Sequence, residues 1–154
     1  DVVEVGPHLS LPGGMQATFR LDGQEARVDL RTPSPGSARE PFELPVRTLA
    51  GVGEPPDGGG AVVVGASLLD DLGYERDEMA ALVGRAADLV LHAPRGESVT
   101  FPVEIAGVTT ETWGNVALAD ADRLAMLEWW YNDPDYLARR GYDLVLIRTR
   151  SLPR

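Results

Sequence analysis

Two alternating runs meet at Asp22-Gly23, and no other feature restricts the fold of this chain so strongly. Met15, Ala17, Phe19 and Leu21 are apolar, while Gln16, Thr18 and Arg20 between them are polar. A period of two is the signature of a half-buried strand. Ala26, Val28 and Leu30 alternate in the same way with Arg27, Asp29 and Arg31. Asp-Gly between such runs selects a two-residue type I′ turn, because both central residues must take positive φ. Folding about that turn predicts Phe19 opposite Ala26, Ala17 opposite Val28 and Met15 opposite Leu30 on one face. On the other face it sets Arg20 opposite Glu25.

Downstream, residues 32–41 are rich in Pro, Ser and Gly and read as a loop, and 42–49 read as a strand interrupted at Pro45. A second loop, 51–60, ends in Gly58-Gly59-Gly60. The continuous β-branched run 61–64 is the pattern of a strand covered on both faces. Ser67 is placed to open a helix, with Asp70 at the capping-box position and Gly73 at its close. Asp77 is placed to cap a second helix, with Met79, Leu82 and Val83 on one face and Gly84 ending it. Residues 88–92 and 99–105 read as a strand pair around 94–98. Pro102 lacks an N–H, so its strand is expected at an edge or a bulge. A short strand at 116–118 leads to a helix capped by Asp120 and running to about Trp130. Asp133-Pro134, N-cap then Pro at the first helical position, is placed to open another helix that stops at Gly141. Residues 142–149 read as the last strand. This order is that of an α+β domain, a mixed or antiparallel sheet with short helices, with two lobes allowed. There is no internal repeat.

Composition narrows the chemistry. All 14 basic residues of the 154 are Arg, against 24 acidic residues, for a net charge of −10. Without Lys there is no Schiff base and no P-loop lysine. Without Cys there is no thiol nucleophile, disulfide or thiolate metal site. The acidic balance disfavours nucleic acid and anionic lipid headgroups through long-range repulsion. The longest apolar runs, 60–66 and 144–147, fall far short of the roughly 18 residues that span a bilayer. The chain begins at Asp1 rather than Met and carries no signal peptide, which reads as one domain, 1–154, excised from a longer protein.

The candidate motifs are each met by an ordinary structural reading. Ser67 stands at a strand-to-helix turn, but the G-x-S-x-G glycine after it is missing and the residue is assigned as a helix cap. His8 and His92 lie in no metal-type spacing with carboxylates. Asn132, Asp133 and Asp135 lack the Gly and distal Glu of a calcium loop. Asp70, Asp71, Glu75 and Glu78 flank helix ends, where carboxylates favour the dipole or solvent. The triple glycine precedes a strand rather than a helix, the wrong context for a phosphate cradle. No catalytic residue, metal ligand or cofactor is assigned.

The most unusual stretch is Glu128-Trp129-Trp130-Tyr131-Asn132-Asp133-Pro134-Asp135-Tyr136. Adjacent Trp129 and Trp130 point about 100° apart on a helix, so both are buried only if the helix is clamped on two sides. In one reading Trp130 faces the core with Leu127 and Leu124 while Trp129 covers a neighbouring helix. In the other, Trp129, Trp130, Tyr131 and Tyr136 form an exposed patch that docks a partner, a lipid headgroup region or a glycan.

The order of several short motifs resembles the extracytoplasmic, MacB-like periplasmic core domain of MacB/FtsX-type ABC transporter permeases. Ala61-Val62-Val63-Val64-Gly65-Ala66-Ser67-Leu68-Leu69-Asp70-Asp71-Leu72-Gly73 is similar to the strand–helix unit of those domains. Leu82-Val83-Gly84-Arg85 followed by Leu89-Val90-Leu91, then Phe101-Pro102-Val103-Glu104-Ile105-Ala106-Gly107-Val108, resemble the strands that come next. Val116-Ala117-Leu118-Ala119-Asp120 looks like the family's short strand running into a helix, and 142–148 its closing strand. The resemblance covers residues 49–149. It implies a non-catalytic domain at the extracytoplasmic face of the cell membrane, between the first two transmembrane helices. Its partners would be those helices, a cytoplasmic ATPase, and an extracytoplasmic protein or lipophilic exported substrate. It implies further that both chain ends emerge on the same side of the fold. The alternative is a free-standing secreted module that binds a glycan or peptide through the Trp129–Tyr136 cluster.

Overall fold

In the computed structural model, which describes residues 2–12, 15–30, 47–110, 115–142 and 144–149, the hairpin forms in the expected register. β1 (Val2–His8) precedes it. β2 (Gln16–Leu21) and β3 (Gln24–Val28) pair antiparallel, with Ala17 opposite Val28, Phe19 opposite Ala26 and Arg20 opposite Glu25. Asp22 and Gly23 take φ of 50° and 78°, the two positive values a type I′ turn requires. Met15 and Leu30 lie just outside the ladder, and Leu30 is buried. Arg20 and Glu25 meet at 2.7 Å on the wet face.

The protein is α+β, with one mixed sheet in the order β3-β2-β6-β7-β5-β8 and a separate antiparallel pair of β1 with β9. The remaining strands are β4 (Thr48–Gly51), β5 (Ala61–Gly65), β6 (Ala86–His92), β7 (Ser98–Thr109), β8 (Val116–Ala117) and β9 (Leu144–Thr149). Residues 32–41, and 42–46 of the strand expected at 42–49, lie outside the described residues; the following residues form β4, which runs through Gly51. β6 pairs antiparallel with β7 from His92 opposite Ser98 to Ala86 opposite Glu104. From Glu104 to Thr109, β5 pairs parallel along the other edge of β7. The first edge passes from β6 to β4, which sets Gly51 opposite Gly107 and Thr48 opposite Thr109. At that transfer β7 carries an extra residue: Val62 pairs with Ile105, but Val63 pairs with Gly107. Such a bulge bends a strand and re-aims its hydrogen bonds. The Ile105 carbonyl accepts from Gly84 N–H, and the next carbonyl, Ala106, accepts from Val52 N–H.

Pro102 does not mark an edge strand or a bulge: β7 lies between β6 and β5, and its extra residue falls at Ala106. The proline is tolerated because β7 is paired along one edge only at that point. Glu104 turns its N–H to the Gly60 carbonyl and Ile105 to the Arg85 carbonyl. By alternation, the nitrogen of Pro102 faces the side away from β6, before β5 begins. Val62, Val63 and Val64 are all buried, because β5 lies between β7 and β8 with both faces covered.

Four helix starts differ from the sequence reading, three of them before the aromatic stretch. α1 (Ala66–Asp71) is capped by Gly65 without a side-chain bond, and Ser67 lies exposed inside it. The cause is β5, which runs on through Gly65, where Asn115 takes the N–H at 2.8 Å. The next helix is a 3-10 helix, Arg76–Leu82, capped by Glu75 and not by Asp77, with Glu75 and Glu78 in a reciprocal capping box. Three residues per turn align Met79 with Leu82, both buried, and leave Val83 outside the apolar row. α2 (Asp120–Tyr131) is capped by Ala119, so Asp120 becomes its first residue. Gly73 follows α1 and Gly84 follows the 3-10 helix, both with positive φ as expected of stop positions.

Two clips fasten the periphery. The Tyr74 hydroxyl donates to Asp22 at 2.5 Å, and Arg85 pairs with the same carboxylate. The hairpin turn is thereby tied to the segment after α1 and to the start of β6. The Tyr74 bond, with Arg85 beside it, holds the Asp22 carboxyl below the usual carboxylate range, and the same bond pushes the Tyr74 hydroxyl up. The second clip uses the triple glycine: Gly60 N–H donates to both oxygens of Asp122, at 2.8 and 3.0 Å. Burial raises the Asp122 carboxyl and the Gly60 bond opposes it.

Gly51 and Gly107 face one another too closely for side chains. A Cβ on Gly107 would run into the Val52 carbonyl, and one on Gly51, at φ +64°, into the Ala106 carbonyl. Gly107→Ala should therefore lower stability by about 2–3 kcal/mol through overpacking. Gly23→Ala meets open space at φ +78° and should lose only about 1 kcal/mol of backbone strain. Urea midpoints at unchanged slope distinguish the two.

A pH titration checks the Asp22 clip. A depressed folded pKa adds stability above the unfolded value of 3.8 that is lost as acid protonates the carboxyl. Asp22→Asn, which tolerates the turn's positive φ, should be less stable than the parent at pH 7. The gap should close as the pH falls below 3.8.

Candidate functional site

The aromatic stretch falls at the C-terminal end of α2 and on α3 (Tyr136–Arg140). α2 presents Arg123, Met126 and Leu127 to the interior, all buried. One turn further on, Trp129 and Trp130 are both half-buried. Their rings meet edge to face, with centroids 6.3 Å apart at 64°. Trp129 is the ring that packs against the hydrophobic core. This corrects the reading in which Trp130 faces the core and Trp129 covers a neighbouring helix: the ring following Met126 by three residues, not the one following Leu127, packs against the core.

α2 ends at Asn132 in the left-handed conformation (φ 49°). Asp133 N–H then closes on the Glu128 carbonyl at 2.9 Å, and the Asp133 carboxylate accepts from Asp135 N–H at 3.1 Å. α3 starts at Tyr136, later than Asp133-Pro134 suggested, because residues 132–135 are spent on this turn. Gly141 ends α3, as expected. The turn folds Tyr136 back onto Tyr131. The two rings stack with centroids 5.4 Å apart at 22°; Tyr136 is 4% exposed and Tyr131 40%.

Two arginines complete the corner. Arg95, from the turn between β6 and β7, lies 5.7 Å from the centre of the Trp129 ring. It donates to the Trp130 carbonyl at 3.3 Å and to Glu97 at 2.8 Å. The Arg140 guanidinium lies 4.2 Å from the centre of Tyr131 and 5.6 Å from that of Tyr136. Arg139 reaches Asp133 and Asp135 only at 3.8 and 4.0 Å. The four aromatic residues singled out from the sequence thus form two ring pairs, each with an arginine against it. Sequence reading missed the arginines, since nothing local in Pro94-Arg95-Gly96 points to a helix thirty-odd residues away.

The other candidate groups are occupied structurally. Glu75 and Glu78 cap the 3-10 helix. His92 is exposed, 3.4 Å from the Thr18 hydroxyl. Among the described residues no group of three or more His, Cys, Asp or Glu is arranged to hold a metal ion. Arg123, overlooked in the sequence, is 2% exposed and donates to the Leu30 carbonyl at 3.3 Å. Burial lowers its pKa, and Asp120 opposes the shift. Its visible signal is its place on the stripe that continues with Met126 and Leu127, where an apolar residue would be ordinary.

Fold and site together define an α+β domain whose distinctive surface is an arginine-braced aromatic corner. No protein-family model, curated protein or solved structure matches the chain.

Arg95→Ala removes the contacts that hold the β6–β7 turn to α2. It should destabilise the fold by about 1 kcal/mol and shift tryptophan emission to longer wavelength as Trp129 gains solvent. An unchanged spectrum would show that Arg95 does not shield the ring.

Proposed function

We propose that the chain is a non-catalytic extracytoplasmic domain of a MacB/FtsX-type ABC transporter permease. In this reading it couples movement of membrane helices, driven by a cytoplasmic ATPase, to an exported substrate or extracytoplasmic partner. The observation that carries the proposal is the β1–β9 pair. Val2 lies opposite Thr149 and His8 opposite Leu144, so β1 runs toward the body of the fold and β9 runs away from it. Directly opposed residues of an antiparallel pair have Cα atoms about 5 Å apart. Chain continuing past both strands would leave side by side, as two neighbouring membrane helices require. No described helix is long and apolar enough to cross a membrane, so in this reading the spans lie beyond the ribbon.

The contact surface in this proposal is the aromatic corner of Trp129, Trp130, Tyr131 and Tyr136. Trp, Tyr and Arg are the residue types that carry most energy at protein interfaces.

A topology experiment tests the placement. The chain has no Cys, so Ser67→Cys, at an exposed position, introduces a single thiol. In the parent polypeptide, expressed with its native flanks and with any cysteine in those flanks changed to Ser, this thiol should react with a membrane-impermeant maleimide on intact cells. The labelled protein should sediment with membranes. A soluble product, or a thiol protected until lysis, would overturn the proposal.

A further inference from the structure

The structure assigns Arg140, with Tyr131 beside it, as a recognition point for a single carboxylate carried next to an apolar residue on a protein segment. The inference rests on the reading of the aromatic corner as a contact surface, and names the chemistry of what docks there.

Several described arginines are committed. Arg20, Arg85, Arg95 and Arg139 pair with carboxylates, and Arg123 is buried. Arg140 is exposed and has no ion pair with a carboxylate among the described residues. Unlike a free surface cation, it is held in place. Tyr136 is fixed by burial, Tyr131 is stacked on it, and the guanidinium sits against both rings. Contact with a ring face leaves the N–H edges of the guanidinium available to a carboxylate, which its planar fork matches in two parallel bonds. An orientation fixed beforehand also reduces the side-chain entropy lost on binding.

The partner class follows from the charges. A molecule of net charge −10 repels polyanions at long range, which disfavours phosphate-rich ligands and acidic tracts. One carboxylate in a neutral or basic segment escapes that repulsion. Tyr131, 40% exposed, offers apolar ring surface directly beside the cation, so an apolar neighbour of the carboxylate has a place to rest.

The test uses the full chain and two capped peptides, acetyl-Lys-Leu-Glu-Lys-amide and its Gln counterpart, followed by NMR of arginine Nε–H and tyrosine ring signals. With the Glu peptide, the Arg140 and Tyr131 signals should move saturably in the millimolar range. With the Gln peptide, or in Arg140→Gln, binding should weaken about tenfold or more, the loss of a charge-assisted hydrogen bond. Unchanged backbone amide signals elsewhere establish that the variant is folded. Equal response to both peptides, equal response in Arg140→Gln, or shifts as large at the exposed Arg76 would overturn the inference. Since the titration involves no membrane, a failure here leaves the maleimide experiment to decide the permease reading separately.

Discussion

Twelve residues of β7 hydrogen-bond with three other strands, and the rest of the sheet is arranged around them. The strand serves β6 and then β4 along one edge because a single extra residue at Ala106 resets its hydrogen-bond direction. Two segments far apart in sequence, ending at Val52 and starting at Gly84, donate to adjacent carbonyls of that bulge. So close a junction has no room for Cβ atoms, which is why Gly51 and Gly107 stand there. β5 can then pair parallel on the other edge, with α1, the 3-10 helix and β6 forming the long connection a parallel pair needs.

Charge is distributed by the same logic of connection. With −10 overall and arginine as the only basic residue, each guanidinium is scarce, and several span elements that backbone bonds do not join. Arg85 meets the hairpin turn through Asp22, and Arg95 joins the β6–β7 turn to the end of α2. Arg123 joins α2 to the stretch after β3 from inside the core. The planar fork suits these jobs better than an ammonium would, since it bonds along its edge and packs by its face. These are exposed or half-exposed contacts, Arg123 excepted, and they fix where elements sit more than they add to stability.

Periodicity and turn chemistry made the hairpin and β5 legible in the sequence, down to the pairing of Arg20 with Glu25. Both are local signals: a period of two, an Asp-Gly turn, a β-branched run. Helix caps were misread wherever tertiary structure competed. Ser67 lost the cap because Asn115 holds β5 straight through Gly65. Asp120 lost it because the chain enters α2 one residue earlier, at Ala119. The aromatic corner was legible as a composition and not as a geometry. Which tryptophan faces the core depends on helix rotation, and the arginines that brace the rings arrive from β6–β7 and from α3. A buried arginine on an apolar stripe, as at Arg123, shows in sequence only as a break in the pattern.

The corner and the terminal ribbon are near neighbours along the chain. Arg140 ends α3, Gly141 follows at φ +69°, and β9 begins at Leu144. The residue at which a partner's carboxylate is proposed to dock therefore lies four positions from the strand that carries the chain away from the fold. In the permease reading this proximity is the useful property. A contact at Tyr131 and Arg140 would act on the root of the ribbon directly, without relay through the sheet. α2 is held to the sheet by Trp129 against the core and by Arg95 at the helix end. On that path Gly141, at φ +69°, stands between a helix anchored by the buried Tyr136 and a strand held by its pairing with β1.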